Sequence, residues 1–164
     1  MLLGSNIINE LIFVVILSIK MSGFGKVSNN VHILNDWIDA FRGRDLPKMV
    51  SLLTDDVKIN SIIFQNYEGK DGATKYWQKL FTIIPNIGID IVTLTANEQR
   101  IVAEIDVSGT QKGKVGSSSP GLEKKFQVRG AFVYEFSDNM KIREIRMYYD
   151  SDMLKKQLDI VNCN

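Results

Sequence analysis

Between Lys141 and Asp150 the chain reads Lys-Ile-Arg-Glu-Ile-Arg-Met-Tyr-Tyr-Asp, and Ser151-Asp-Met-Leu-Lys-Lys-Gln-Leu158 comes next. The first part alternates as a strand does and the second has helical spacing. If Lys141 to Tyr149 is a strand, Ile142, Glu144, Arg146, Tyr148 and Asp150 share one face, and Arg143, Ile145, Met147 and Tyr149 the other. The first face mixes ionisable groups with aromatics. Such groups are costly to bury unless they line a cavity or meet partners, so this face is read as a pocket wall with Asp150 at its rim or floor. The other face is then outward and available for a homodimer contact.

Towards the N-terminus, Ser137-Asp138-Asn139 is a turn and Lys125 to Phe136 a strand. The segment Gln111 to Leu122, with Gly113, Gly116, three serines, Pro120 and Gly121, reads as a mobile loop placed to serve as a flap. Ile89 to Ala96 alternates with period two and returns through Asn97-Glu98-Gln99 as Ile101 to Gly109, a hairpin. The front half is helical. Asn30 can cap a helix with the stripe Leu34, Trp37, Ile38 and Phe41, ending at Gly43. Asp45 caps a second, with Pro47 in its first turn. Val57 to Gln65 reads as a strand, Tyr67-Glu-Gly69 as a turn, and Asp71 as the cap of a third helix carrying Ala73, Tyr76, Trp77, Leu80, Phe81 and Ile84, stopped by Pro85. Helices first and antiparallel strands after predict an α+β fold, with three N-terminal helices on one face of a curved, mainly antiparallel sheet.

Composition narrows the chemistry. The 164 residues suit one domain, and a net charge of +1 with no Lys/Arg stripe excludes the electrostatic footprint of a nucleic-acid binder. The single cysteine, Cys163, precludes a disulfide framework, and with His32 as the lone histidine, read as solvated surface, a zinc site has almost no ligands. Leu11 to Ile19 is apolar for nine residues, against the roughly 20 of a spanning helix. Membrane contact is therefore unexpected except through the apolar segment 7–19. Three readings of that segment stand: an over-extended start before Met21, an atypical signal or anchor, or a helix packed on the domain. The first gives a cytoplasmic protein, the second a secreted or anchored one. The expected organisation is an N-terminal apolar segment and linker over 1–29, a domain over 30–160 and a tail over 161–164.

Several blocks, taken in order, carry a family resemblance: Arg44-Asp45-Leu46, Met49 to Val57, Gly69 to Gly72, Leu80-Phe81, Ile84-Pro85-Asn86, Arg129 to Phe136, and Tyr148-Tyr149-Asp150 with Leu154 and Gln157-Leu158 behind it. Together they resemble the SnoaL-like polyketide cyclases of the nuclear transport factor 2-like superfamily, which includes the ketosteroid isomerases. The resemblance implies a cone-shaped domain around an apolar cavity, and a carboxylic acid at the position of Asp150 transferring protons in an intramolecular aldol closure. A carboxyl group in an apolar cavity has its ionised form disfavoured and its pKa raised towards the working pH. Such a site needs neither metal nor cofactor.

The candidate catalytic residue is therefore Asp150, with capping of the next helix as its alternative role. Arg146 either offers a fork to an enolate or carboxylate oxygen, or forms an ion pair with Glu144. Tyr148 either donates to a developing oxyanion or packs its ring. Trp37, Phe41, Tyr76, Trp77, Phe132 and Tyr134 are core residues of which some must line the cavity. Family members often carry a pocket histidine, and Val57 to Asn60 and Ala131 to Val133 hold none. Two functions fit: a cyclase or isomerase acting on a small carbonyl compound, or a non-catalytic module binding a small hydrophobic molecule or a protein.

Overall fold

The computed structural model describes residues 4–61, 64–114 and 123–158, with side chains from residue 23 onward. The order is α1 (Gly4–Arg42), α2 (Leu46–Ser51), β1 (Leu53–Asn60), β2 (Tyr67–Glu68), α3 (Gly69–Ile83), β3 (Gly88–Ala96), β4 (Arg100–Thr110), β5 (Lys125–Phe136), β6 (Ile142–Tyr149) and α4 (Ser151–Gln157). Most of the expected flap, the side chains of the apolar segment 7–19 and the tail 161–164 lie outside the described residues.

The strands form one mixed sheet in the order β2-β1-β6-β5-β4-β3. Among the described residues only β1 and β6 pair in parallel; the other pairs are antiparallel. The α+β fold is thus as the sequence predicts, with the three N-terminal helices followed, after the sheet, by the short C-terminal helix that the spacing from Ser151 indicates. Leu34, Trp37, Ile38 and Phe41 of α1, Met49 of α2 and Ala73, Tyr76, Trp77 and Leu80 of α3 are buried, as are Ile101, Ala103, Ile105 and Val107 of β4. The helical period and the strand period thus meet in a single core.

Three boundaries depart from expectation. Asn30 does not cap a helix, because α1 passes straight through it. Its side chain is instead fully buried, with Nδ2 donating to the Glu98 carbonyl at 3.0 Å, a long-range bond that a local propensity cannot foresee. Strand β1 begins at Leu53, one residue after α2, and stops at Asn60. Helix α3 begins at Gly69 with Asp71 inside its first turn, where a carboxylate still favours the helix dipole. Asp45 caps α2 as predicted, accepting from the Lys48 amide at 3.0 Å.

Arg44 fixes the end of α1. It takes φ of 59°, a costly conformation outside glycine. Its guanidinium offsets the cost by donating to the carbonyls of Phe41 (2.9 Å), Pro85 (3.0 Å) and Ile87 (2.6 Å), while lying 4.5 Å from the Phe81 ring centroid.

The largest correction concerns β6. Phe136 pairs with Ile142 but Glu135 pairs with Glu144, so Arg143 is an extra residue in the ladder. A bulge of this kind reverses the alternation beyond it. Ile142 points inward, and then so do Ile145, Met147 and Tyr149, while Glu144, Arg146 and Tyr148 point outward. The face expected to wall the pocket is the outer face, and the expected dimer face is the inner one. A second bulge, between Ile91 and Thr93 of β3, does the same, so Ile89 and Ile91 share the inner side with Leu94 and Ala96.

Candidate functional site

Between the helices and the inner side of the sheet lies a cavity of about 40 Å³. Of the six aromatics put forward as cavity candidates, Trp37, Phe41, Tyr76, Trp77 and Phe132 line it. Tyr134 stands behind this wall, fully buried, with its ring 6.0 Å from Trp37 and 6.5 Å from Phe132. Leu80, Ile87, Ile89, Val107 and Val128 complete the lining together with Ile145, Met147 and Tyr149 of β6. The last three escape a reading of the sequence because of the bulge. The wall aromatics brace one another: Trp37 contacts Phe41 at 5.7 Å and Trp77 at 5.4 Å, and Tyr76 contacts Trp77 at 5.9 Å between centroids.

Asp150 takes the capping role. Its side chain is exposed and accepts from the amides of Asp152 and Met153, both at 2.9 Å. The acid expected in an apolar hollow is thus on the surface, although its neighbour Tyr149 lines the cavity. Because Asn caps a helix about as well as Asp, Asp150→Asn is expected to change stability by only a few tenths of a kcal/mol, whereas Asp150→Ala costs about 1 kcal/mol. Urea denaturation of the two variants checks this.

Arg146 and Tyr148 are also outside the cavity. Tyr148 is 54% exposed. Arg146 pairs with Glu144, the ion-pair alternative, and also reaches Glu135 at 2.7 Å, which in turn accepts from Arg100 at 2.6 Å. Asn60 closes the group by donating to Glu144 at 2.8 Å. Burial pushes the Glu135 carboxyl up, but the bonds from Arg146 and Arg100 outweigh it and hold the group below its usual range. Since its folded pKa lies below the unfolded value near 4.3, the stabilisation is complete above that value and is lost as pH falls through the folded pKa. The stability gap between wild type and Glu135→Gln is therefore expected to be widest near neutrality and to narrow on acidification, as thermal melts across that range would measure.

What polarity the cavity region has comes from neutral donors. Burial pushes the Tyr76 hydroxyl up to about 12 and raises those of Tyr134 and Tyr149 as well, with Tyr76 adding to the rise of both. All three keep their protons at neutral pH. The Tyr76 hydroxyl contacts the Met147 sulfur at 3.5 Å. Trp37 Nε1 and the Tyr134 hydroxyl are buried and meet no acceptor among the described residues. Buried donors normally find one. The lining contains no carboxylate, lysine or histidine among the described residues, and His32 is an exposed side chain 3.9 Å from Asp36. Among the described residues no three His, Cys, Asp or Glu side chains cluster as metal ligands, and no helix is long and apolar enough to cross a membrane.

A curved sheet wrapped by N-terminal helices around a blind apolar hollow defines a class of small α+β cone domains. The chain belongs to the SnoaL-like domain family, whose model matches residues 34–145, well over half of it. Among solved structures it is similar to a candidate polyketide cyclase from Xanthomonas campestris pv. campestris (TM-score 0.74, 17% identity, 81% of this chain and 98% of that one). A candidate SnoaL-like polyketide cyclase from Jannaschia sp. CCS1 gives a TM-score of 0.73 at 16% identity, covering 83% and 95%. An LEH-like epoxide hydrolase from M. tuberculosis gives 0.65 at 15%, covering 80% and 90%. At such identities the shared property is the fold. No curated protein matches the sequence.

Proposed function

We propose that the domain binds a small, uncharged, largely apolar molecule carrying one hydrogen-bond acceptor, such as a ketone, in the cavity between α1, α3 and the sheet. The observation that carries this is a lining without a charged group, in which Trp37 carries a buried Nε1 donor that meets no acceptor among the described residues. A carboxylate ligand would lose its hydration and gain no cation there, so neutral acceptors are favoured over acids. One buried water needs roughly 10–15 Å³, so a cavity of about 40 Å³ holds about three waters as it stands; a single small ring enters only as the wall side chains move outward, and a fused polycycle demands a larger rearrangement still. Trp37 and Trp77 both face this space, so their fluorescence reports occupancy. Cyclohexanone is expected to quench it saturably and raise the melting temperature, with cyclohexane weaker and cyclohexanecarboxylate without effect. Equal responses to all three, or none, would sink the proposal.

Family membership supports a second reading, proton-transfer catalysis on a small carbonyl compound by cyclisation or isomerisation, with Asp150 as the acid–base group. That reading requires Asp150 to leave its cap and reach the cavity past Tyr149. Asp150→Asn preserves the cap, so turnover that persists in this variant would remove Asp150 from the chemistry while leaving binding untouched.

A further inference from the structure

We propose that the N-terminal part of α1 is a membrane-surface anchor that enters one leaflet of a phospholipid bilayer. Helix α1 is unbroken from Gly4 to Arg42. At 1.5 Å per residue its 39 residues run about 58 Å, whereas a chain of 164 residues folds to a radius of gyration of about 15 Å, so the helix overhangs the domain. The overhang starts near Gly23. Just beyond it Lys26 bonds to Asp138 at 2.9 Å, and Asn30, fully buried, donates to the Glu98 carbonyl. Phe24 is nonetheless 79% exposed, and Met140, in the turn that Asn29 touches, is 44% exposed. Because the helix has no break, the residues before Gly23 cannot turn back to cover this end of the domain.

The sequence of the overhang selects the occupant. Leu11 to Ile19 is apolar apart from Ser18, and since successive helical residues step around the axis by about 100°, this run occupies every side of the helix. Another protein chain would cover one side and require only a stripe. A helix apolar all round needs apolar surroundings on every side, and a lipid leaflet supplies them. At the helical rise the run is about 13 Å long, less than half of the roughly 30 Å hydrocarbon core, so it enters the bilayer without crossing it. Asn6, Asn9 and Glu10 precede the run and Lys20 follows it, and these polar residues hold its two ends at the level of the headgroups. Where the helix leaves the domain, Lys26 is neutralised by Asp138. The attraction is therefore apolar and does not depend on anionic lipid.

The test is flotation of the full chain with vesicles of phosphatidylcholine alone. The wild type is expected to rise with the vesicles, and Val15→Asp to lower the bound fraction at least about tenfold with the circular dichroism and Trp fluorescence of the domain unchanged. Trypsin cleavage after Lys20 is a second readout that needs no variant. Vesicles should slow it while leaving cleavage after Lys114 as it was. A wild type that stays at the bottom of the gradient, a Val15→Asp variant that floats as well as the wild type, or cleavage after Lys20 that vesicles do not slow overturns the proposal. So does a wild-type oligomer that Val15→Asp dissociates while neither protein floats, since the occupant would then be a second copy of the chain.

Discussion

Trp37→Ala is expected to destabilise the domain by about 4 kcal/mol, in the range for deleting a buried aromatic. Trp37 is 3% exposed and packs against Phe41, Trp77 and Tyr134. Removing the indole would join its volume to the existing cavity, and rings already braced by other partners cannot collapse into the void. The urea midpoint should fall with the slope unchanged, the sign of lost stability without a changed unfolding reaction. Trp37→Phe keeps an aromatic ring in place and removes the indole N–H with part of the fused ring, so it should cost less stability than alanine. If the indole donates to the ligand, this variant should nonetheless weaken ketone binding while sparing that of a hydrocarbon of the same shape. A loss of both ligands together would mean that shape alone governs the cavity.

Gly130→Ala is expected to cost about 3 kcal/mol, the upper end for forced overpacking. Gly130 pairs with Tyr149 across the β5–β6 ladder. A methyl group there would overlap the Tyr148 carbonyl oxygen and stand 2.9 Å from the Tyr149 Cβ. The first of these is backbone, so no rotamer change relieves the clash; the strands must separate or the register must slip. Gly25 provides the contrast. It lies in α1 with nothing within 4 Å of an added Cβ, and alanine there should stabilise by about 0.5–1 kcal/mol through helix propensity alone. Melting temperatures of the two variants should move in opposite directions.

The helices are legible in the sequence because their stripes are unambiguous. Leu34, Trp37, Ile38 and Phe41 fit only a period of 3.6, while Pro47 marks the first turn of α2 and Pro85 lies just beyond the end of α3. The hairpin of β3 and β4 is equally plain from its alternation and polar turn. Which face of β6 turns inward is not legible. Ile142 begins one alternating set and Arg143 the other, each set mixes apolar with charged residues, and the one-residue bulge at Arg143 exchanges their faces beyond it. A bulge depends on the partner strand's pairing, not on the composition of the bulged strand. The same exchange carries Arg146 and Tyr148 to the outer face and brings Met147 and Tyr149 to the cavity. Asp150 is ambiguous for a different reason. Helix capping and general acid–base chemistry favour the same side chain, and its bonds to the amides of Asp152 and Met153 put it in the cap in this structure. The aromatic candidates fare differently because large rings on inward helical and strand faces have nowhere else to go, and the cavity is what their packing leaves over.

The central claim is that a neutral acceptor enters the cavity and meets the Trp37 indole N–H. The chain has two tryptophans, so its nitrogen-edited proton spectrum carries two indole N–H signals, which Trp37→Phe assigns. On titration with cyclohexanone the Trp37 signal should move downfield and saturate, with cyclohexane producing no such displacement. A Trp37 indole signal that stays in place at saturating ketone, or moves alike with the hydrocarbon, would contradict the account.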